Sequence, residues 1–174
     1  MSLTIPVNEH DHTQGPSDAR VTLVEYADYQ CPYCSKAYVI VKQLEDQFGP
    51  LLRFVFRNFP LTQIHDQAEL AAEAAEAAGA EGKFWQMHDA LYENQPLLDA
   101  DLIRTVAQEL GLDMKTFEND VETGKFRERI EHDFMGGVRS GVSGTPTFFI
   151  NGSLHQGKWD QAALSAAIGV ELDK

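Results

Sequence analysis

Cys31 and Cys34 are the only cysteines among 174 residues, and Pro32 and Tyr33 separate them. The pair follows an apolar, β-branched run, Val21-Thr22-Leu23-Val24-Glu25-Tyr26, which reads as a buried strand. After it the period turns helical. Pro32 suits a first helical turn, where its missing N–H costs nothing. Ala37, Ile40, Val41, Leu44 and Phe48 recur at spacings of three and four, and Gly49-Pro50 ends the pattern. The chain is therefore constrained to a strand, a tight turn bearing both cysteines, and a helix from Pro32 to Phe48. Side chains three apart on a helix have Cβ atoms about 5–6 Å apart. A disulfide needs Cα atoms about 4.4–6.8 Å apart. The pair can therefore pass between dithiol and disulfide with little movement of the backbone.

Cys31 stands at the helix N-terminus, where unpaired N–H groups and the helix dipole favour a thiolate. The dipole supplies at most ~2 kcal/mol, enough to take a thiol from ~8.5 to ~7. A lower value requires hydrogen bonds to the sulfur itself. A reactive redox pair is the leading reading. The alternatives are half of a zinc site, which wants four ligands, and an inert core pair. Of His10, His12, His65, His88, His132 and His155, only His10 and His12 are closely spaced, so no metal site is expected.

Leu51 to Phe59 reads as a second strand, making a βαβ unit with a parallel pair. The stretch 63–141 then carries helical stripes only: Ala68, Ala71, Ala72, Ala75 and Ala78; Phe84, Met87 and Leu91; Leu102, Ile103, Val106 and Leu110; a short helix over Asp113 to Val121; and Phe126, Ile130, Phe134 and Val138. Gly136-Gly137 and Gly141 to Gly144 are expected to loosen the chain. Thr147 to Ile150 is a third strand, Asn151-Gly152 a hairpin turn, Ser153 to Gln156 the return strand, and Asp160 the cap of a last helix. The expected organisation is a flexible polar lead-in (1–17), a first sheet part (18–62), a helical insertion (63–141) and a second sheet part (142–174). Phe84-Trp85 is expected to anchor the insertion against the sheet.

Lys+Arg number 14 against 27 Asp+Glu, a net charge of -13. Such a surface repels phosphate backbones and anionic lipid heads, so nucleic-acid and membrane-surface partners are disfavoured. No stretch approaches the ~20 apolar residues of a membrane helix. The first residues lack a cationic region followed by an apolar one, and two cysteines are too few for a secreted disulfide framework. A cytoplasmic location is expected, and a periplasmic or extracellular one only if a signal segment has been removed.

Strand–CPYC–helix, a helical stretch, and then Gly144-Thr145-Pro146-Thr147-Phe148-Phe149 resemble the DsbA-like branch of the thioredoxin superfamily, over about Gly15 to Leu172. The resemblance implies an α/β, thioredoxin-like fold with a central mixed sheet and an inserted all-helical domain. It implies a thiol–disulfide oxidoreductase that acts on a disulfide- or thiol-bearing protein or peptide, works with a redox partner, needs no cofactor and is a monomer. It makes Cys31 the exposed nucleophile and Cys34 the resolving cysteine. Pro146 becomes a cis-proline lying against the pair, and Thr145 the residue whose backbone meets a substrate peptide. Pro32 and Tyr33 join the substrate-binding set. Glu25, six residues before Cys31, matches a buried acid found in some members; its other reading is a solvent-facing strand residue. Asp28, Tyr29 and Gln30 either shape a substrate surface or fill a loop. His65 is expected to cap a helix, with no catalytic part.

The sequence departs from the strongly oxidising members. Its dipeptide is Pro-Tyr, as in glutaredoxins, in place of Pro-His, and Thr145 stands where those oxidases have valine. Both changes weigh against a strong-oxidase role. Cys34 weighs against the kappa-class glutathione transferases, which share the architecture without a resolving cysteine. The acidic chain is similar to cytosolic DsbA-like proteins, some of them fused to antiporters. A thioredoxin-like binding module that uses the pair only as a redox switch is the alternative function.

Overall fold

A computed structural model describes residues 1–174. Its strands are β1 (His12–Gln14), β2 (Val21–Ala27), β3 (Leu52–Asn58), β4 (Thr147–Ile150) and β5 (Ser153–Leu154). They form one sheet in the order β1-β3-β2-β4-β5, with β2 and β3 parallel and every other pairing antiparallel. This is the expected thioredoxin-like α/β fold with a mixed sheet. Helix α1 (Pro32–Phe48) makes the β2-to-β3 crossover, and α7 (Gln161–Leu172) follows the β4–β5 hairpin. Asn151 and Gly152 turn that hairpin with φ of 47° and 79°, the left-handed pair that the tightest hairpins require. The return strand is shorter than the sequence suggests, because the chain leaves the sheet after Leu154.

Between β3 and β4 run α2 (Ala68–Ala80), α3 (Phe84–Glu93), α4 (Ala100–Glu109), α5 (Met114–Glu122) and α6 (Arg127–Arg139). The alanines of α2 are buried around most of its circumference, so neighbouring helices approach its backbone closely. Asp99, Asp113 and Asp160 cap α4, α5 and α7 with carboxylates that accept backbone N–H groups.

Strand alternation decides what each face of the sheet buries. Leu23, Phe54, Phe56 and Phe148 belong to a core of 31 buried residues that continues through α1 and α7 into Met87, Ile103 and Phe117 of the helical block. The other face carries a smaller core around Val24, Tyr26, Val55, Phe59 and Phe149. Glu25 lies between Val24 and Tyr26, so it points the other way, into the α1 side.

Two expectations are corrected. Residues 1–17 do not form a flexible lead-in: β1 pairs with β3 as an edge strand, and Ser2 bridges Ser153. The physical reason is Arg57. Its buried guanidinium needs acceptors, and the Asp11 carboxylate (Nε to Oδ1, 2.8 Å; Nη2 to Oδ2, 2.9 Å) and the Ile5 carbonyl (2.9 Å) supply them. Nor do Gly136 and Gly137 loosen the chain. Both lie within α6, and a Cβ on Gly137 would stand 2.8 Å from Phe59 and 3.0 Å from Tyr26. Their lack of a side chain lets α6 lie against the sheet.

Candidate active site

Strand β2 ends at Ala27, and the chain folds back at once: the Cys31 N–H donates to the Asp28 carbonyl at 3.1 Å, closing a turn. Cys31 is the N-cap of α1, with Pro32 as the first helical residue. Unlike α4, α5 and α7, this helix has no side-chain cap, and the Cys34 (3.0 Å) and Ser35 (3.2 Å) N–H groups donate to the Cys31 carbonyl. The strand register supplies the opposite wall. Tyr26 pairs with Thr147, which sets Thr145 and Pro146 beside the cysteine turn. The Thr145–Pro146 peptide bond is cis. The Thr147 hydroxyl donates to the Gly144 carbonyl at 2.7 Å and closes that loop, while Cys31 Sγ lies 3.6 Å from the Thr145 carbonyl oxygen.

The two cysteines are free thiols in very different surroundings. Cys31 is 4% exposed and Cys34 is 0% exposed. Cys31 is thus less open than the expected exposed nucleophile, because the Thr145–Pro146 loop stands against it and Gln95 closes over its backbone. The Cys31 thiol is lowered to about 5. A hydrogen bond from the Cys34 thiol is the largest cause; burial opposes it, and Thr145 and the backbone of Cys34 and Tyr33 add to it. The Cys34 thiol is pushed far above its ordinary value, first by burial, then by its bond to Cys31 and by the charge of Glu25.

Glu25 is buried, which resolves its two readings in favour of the interior. Its Oε1 has no hydrogen-bond partner, and burial, followed by the charge of Cys31, raises its carboxyl to about 8. Pro32 and Tyr33 open α1, and Tyr33 is 59% exposed. Cys31, Cys34, Thr145, Pro146 and Glu25 are therefore brought together, with Pro32 and Tyr33 at the rim.

Several neighbours escape a sequence reading. Gln95, from the helical block, donates its amide to the carbonyls of Tyr29 (2.7 Å) and Cys31 (3.0 Å). Gln30 donates to Asp66 and accepts the Gln67 N–H, tying the turn to the start of α2. Asp28 is a buried acceptor rather than loop filler, and His65 bonds its carboxylate instead of capping a helix. No spacing signals these contacts, which join segments more than thirty residues apart; the only local hint is Asp28 itself, an acidic residue three before the first cysteine of the pair. Tyr29 packs inward on Phe56, His88 and Tyr92.

A mixed sheet, a paired-cysteine turn at a helix start and a cis-proline loop facing it define the class: a thioredoxin-like protein with a dithiol site. A thioredoxin family model matches residues 7–169, and the chain belongs to this family, in its DsbA-like branch. A solved thioredoxin-like oxidoreductase from Silicibacter pomeroyi DSS-3 superposes with a TM-score of 0.82 at 29% identity, over 96% of this chain and 95% of that one. The fold is also that of alpha-DsbA1 from Wolbachia pipientis, with a TM-score of 0.82 at 20% identity over 98% and 96% of the two chains. Among curated proteins, the Na(+)/H(+) antiporter NhaA 1 of Salinispora arenicola is 46% identical over 170 residues, 97% of this chain but 26% of the antiporter. The chain spans about a quarter of the length of the curated relatives it matches.

The cytoplasmic location expected above is corrected by these neighbours. A periplasmic thioredoxin-like protein from Salmonella enterica serovar Typhimurium has the same fold, with a TM-score of 0.76 at 24% identity over 94% of this chain and 91% of that one. The expectation rested on charge and on the first residues, and neither fixes the compartment of this fold. No helix is long and apolar enough to cross a membrane.

Proposed function

We propose that this chain exchanges disulfides with polypeptide substrates through Cys31 and Cys34. The observation that carries the reading is the split of the pair: Cys31 is lowered to about 5 while its neighbour is held protonated by burial. The Cys31 thiolate attacks one sulfur of a substrate disulfide. A Cys31–substrate S–S bond forms, the substrate S–S bond breaks, and the second substrate sulfur leaves as a thiolate. Cys34 then loses its proton and attacks Cys31 Sγ. The mixed disulfide breaks, the substrate leaves as a dithiol, and Cys31–Cys34 is the disulfide. Substrate oxidation is the same sequence reversed. Glu25, buried beneath the pair, is the group we assign to take the Cys34 proton in its ionised form.

The surroundings favour a polypeptide over a small thiol. Tyr33 (59% exposed), Ile64 (72%) and Leu97 (69%) are large apolar side chains left in water, each on a segment that carries or contacts the cysteine turn. They offer apolar contact to a chain segment on either side of a cysteine. The Thr145 backbone, before Pro146, offers strand-like hydrogen bonds to the same segment.

Trapping tests the reading. Cys34→Ala removes the resolving thiol and should accumulate mixed disulfides through Cys31 on non-reducing gels. Cys31→Ala should capture nothing. Equal trapping by both variants, or by neither, would overturn the exchange mechanism. Stable partner binding without turnover would favour the redox-switched binding module. A pair potential near about -120 mV would assign the oxidising direction, and one near about -270 mV the reducing one.

A further inference from the structure

The buried Asp28 carboxylate joins the cysteine turn to the loop after β3. Its Oδ1 accepts the N–H groups of Gln30 (2.7 Å) and Cys31 (3.2 Å). Its Oδ2 accepts the Leu61 N–H (2.8 Å) and the Nδ1–H of His65 (2.8 Å). The Asp28 backbone N–H in turn points to Cys34 Sγ at 3.5 Å. His65 is the sole ion-pair partner of this carboxylate, and its ring is partly exposed. The other titratable groups near the turn are Glu25 on β2, Tyr29 within the turn, Cys34 on α1, Tyr92 and His88 on α3 and Asp66 beside His65; of these only His88 can carry positive charge, and burial lowers its pKa and holds it neutral. Lys36, on α1, lies over the Tyr33 ring at 5.6 Å.

We propose that Asp28 and His65 are a positioning dyad, in which the carboxylate fixes the Cys31 turn and the imidazolium cancels the carboxylate's charge against the Cys31 thiolate. The proposal deepens the function above and rests on Cys31 as the nucleophile. A buried carboxylate bonded to the Cys31 N–H disfavours a second negative charge on Cys31; a cation on its far oxygen relieves that repulsion. A better-stabilised thiolate favours the dithiol over the disulfide. The Pro-Tyr dipeptide itself carries no cation.

The test follows thiolate absorbance of the reduced protein against pH in wild type, His65→Gln and Asp28→Asn. His65→Gln retains a side-chain N–H donor and removes the positive charge; the Cys31 midpoint should rise by about one unit. The pair's equilibrium with glutathione at pH 6 should move several-fold toward the disulfide. Asp28→Asn retains an acceptor for the turn and removes the negative charge, so its midpoint should fall below that of wild type. Shifts of opposite sign cannot arise from a loosened turn. Midpoints that do not move, or that rise together in both variants, would overturn the dyad. A wild-type midpoint at the ordinary thiol value would overturn the nucleophile assignment beneath it, a result the variants do not produce.

Discussion

At the scale of single residues, the two cysteines share a motif but not an environment. Cys31 sits where the Cys34 thiol, Thr145 and the backbone of Cys34 and Tyr33 favour its charge, and Cys34 sits one turn deeper, where burial opposes one. Glu25 lies beneath both and responds to the same burial. Its carboxyl is raised from 4.5 to about 8, so the folded state holds a proton that the unfolded state releases. Its contribution to stability is full below the unfolded value of 4.5 and is lost as pH rises through about 8. Cys31 runs the other way: its lowered thiol adds stability as pH rises above about 5, which is lost as pH falls through that value. Glu25→Gln should therefore unfold at higher denaturant than wild type at pH 9, by a few kcal/mol on an order-of-magnitude scale, and much less so at pH 4. The same variant should slow release of trapped substrate, because Cys34 loses its proton acceptor. Equal stabilisation at both pH values would show that the acid carries no buried charge.

At the scale of elements, what is local in sequence is also what can be read there. Pro32–Phe48 matches the predicted helix at both ends because proline, an i/i+3/i+4 apolar face and Gly49-Pro50 all act within the segment. β1 has no such signal: three polar residues become a strand only because β3 presents a free edge and Arg57 draws in Asp11. The glycines of α6 mislead for the same reason, since their use depends on Phe59 and Tyr26 from distant strands. Gly137→Ala should cost about 1–3 kcal/mol by overpacking, offset by less than ~1 kcal/mol of helix propensity. Chemical denaturation would measure it; a neutral or stabilising result would mean that the α6–sheet approach is looser than described. Gly144, which has no atom within reach of an added Cβ, is the control.

Across the whole molecule, the sheet and the helical block share one core, and the cysteine turn lies where they meet. Gln95 from the block and Asp28 with His65 from the β3–α2 connection hold that turn from two sides. The motif and the Thr-Pro loop were legible because chemistry demands particular residue types there; the clamps were not, because a glutamine and a histidine have no required spacing from the cysteines. The first residues act at this scale too. Asp11→Ala should leave the Arg57 guanidinium buried without its counter-ion and cost about 3–5 kcal/mol. Arg57→Met/Asp11→Ala should recover much of that loss in thermal unfolding, and a single variant with wild-type stability would contradict the ion pair. The central claim is that Cys31 alone is the activated thiol. Iodoacetamide labelling of the reduced protein across pH, mapped to each cysteine by mass spectrometry, tests it most directly. The account predicts half-maximal labelling of Cys31 near pH 5 and no labelling of Cys34 in the folded protein. Labelling of both cysteines together, or of Cys31 only near the ordinary thiol pKa of about 8.5, would contradict it.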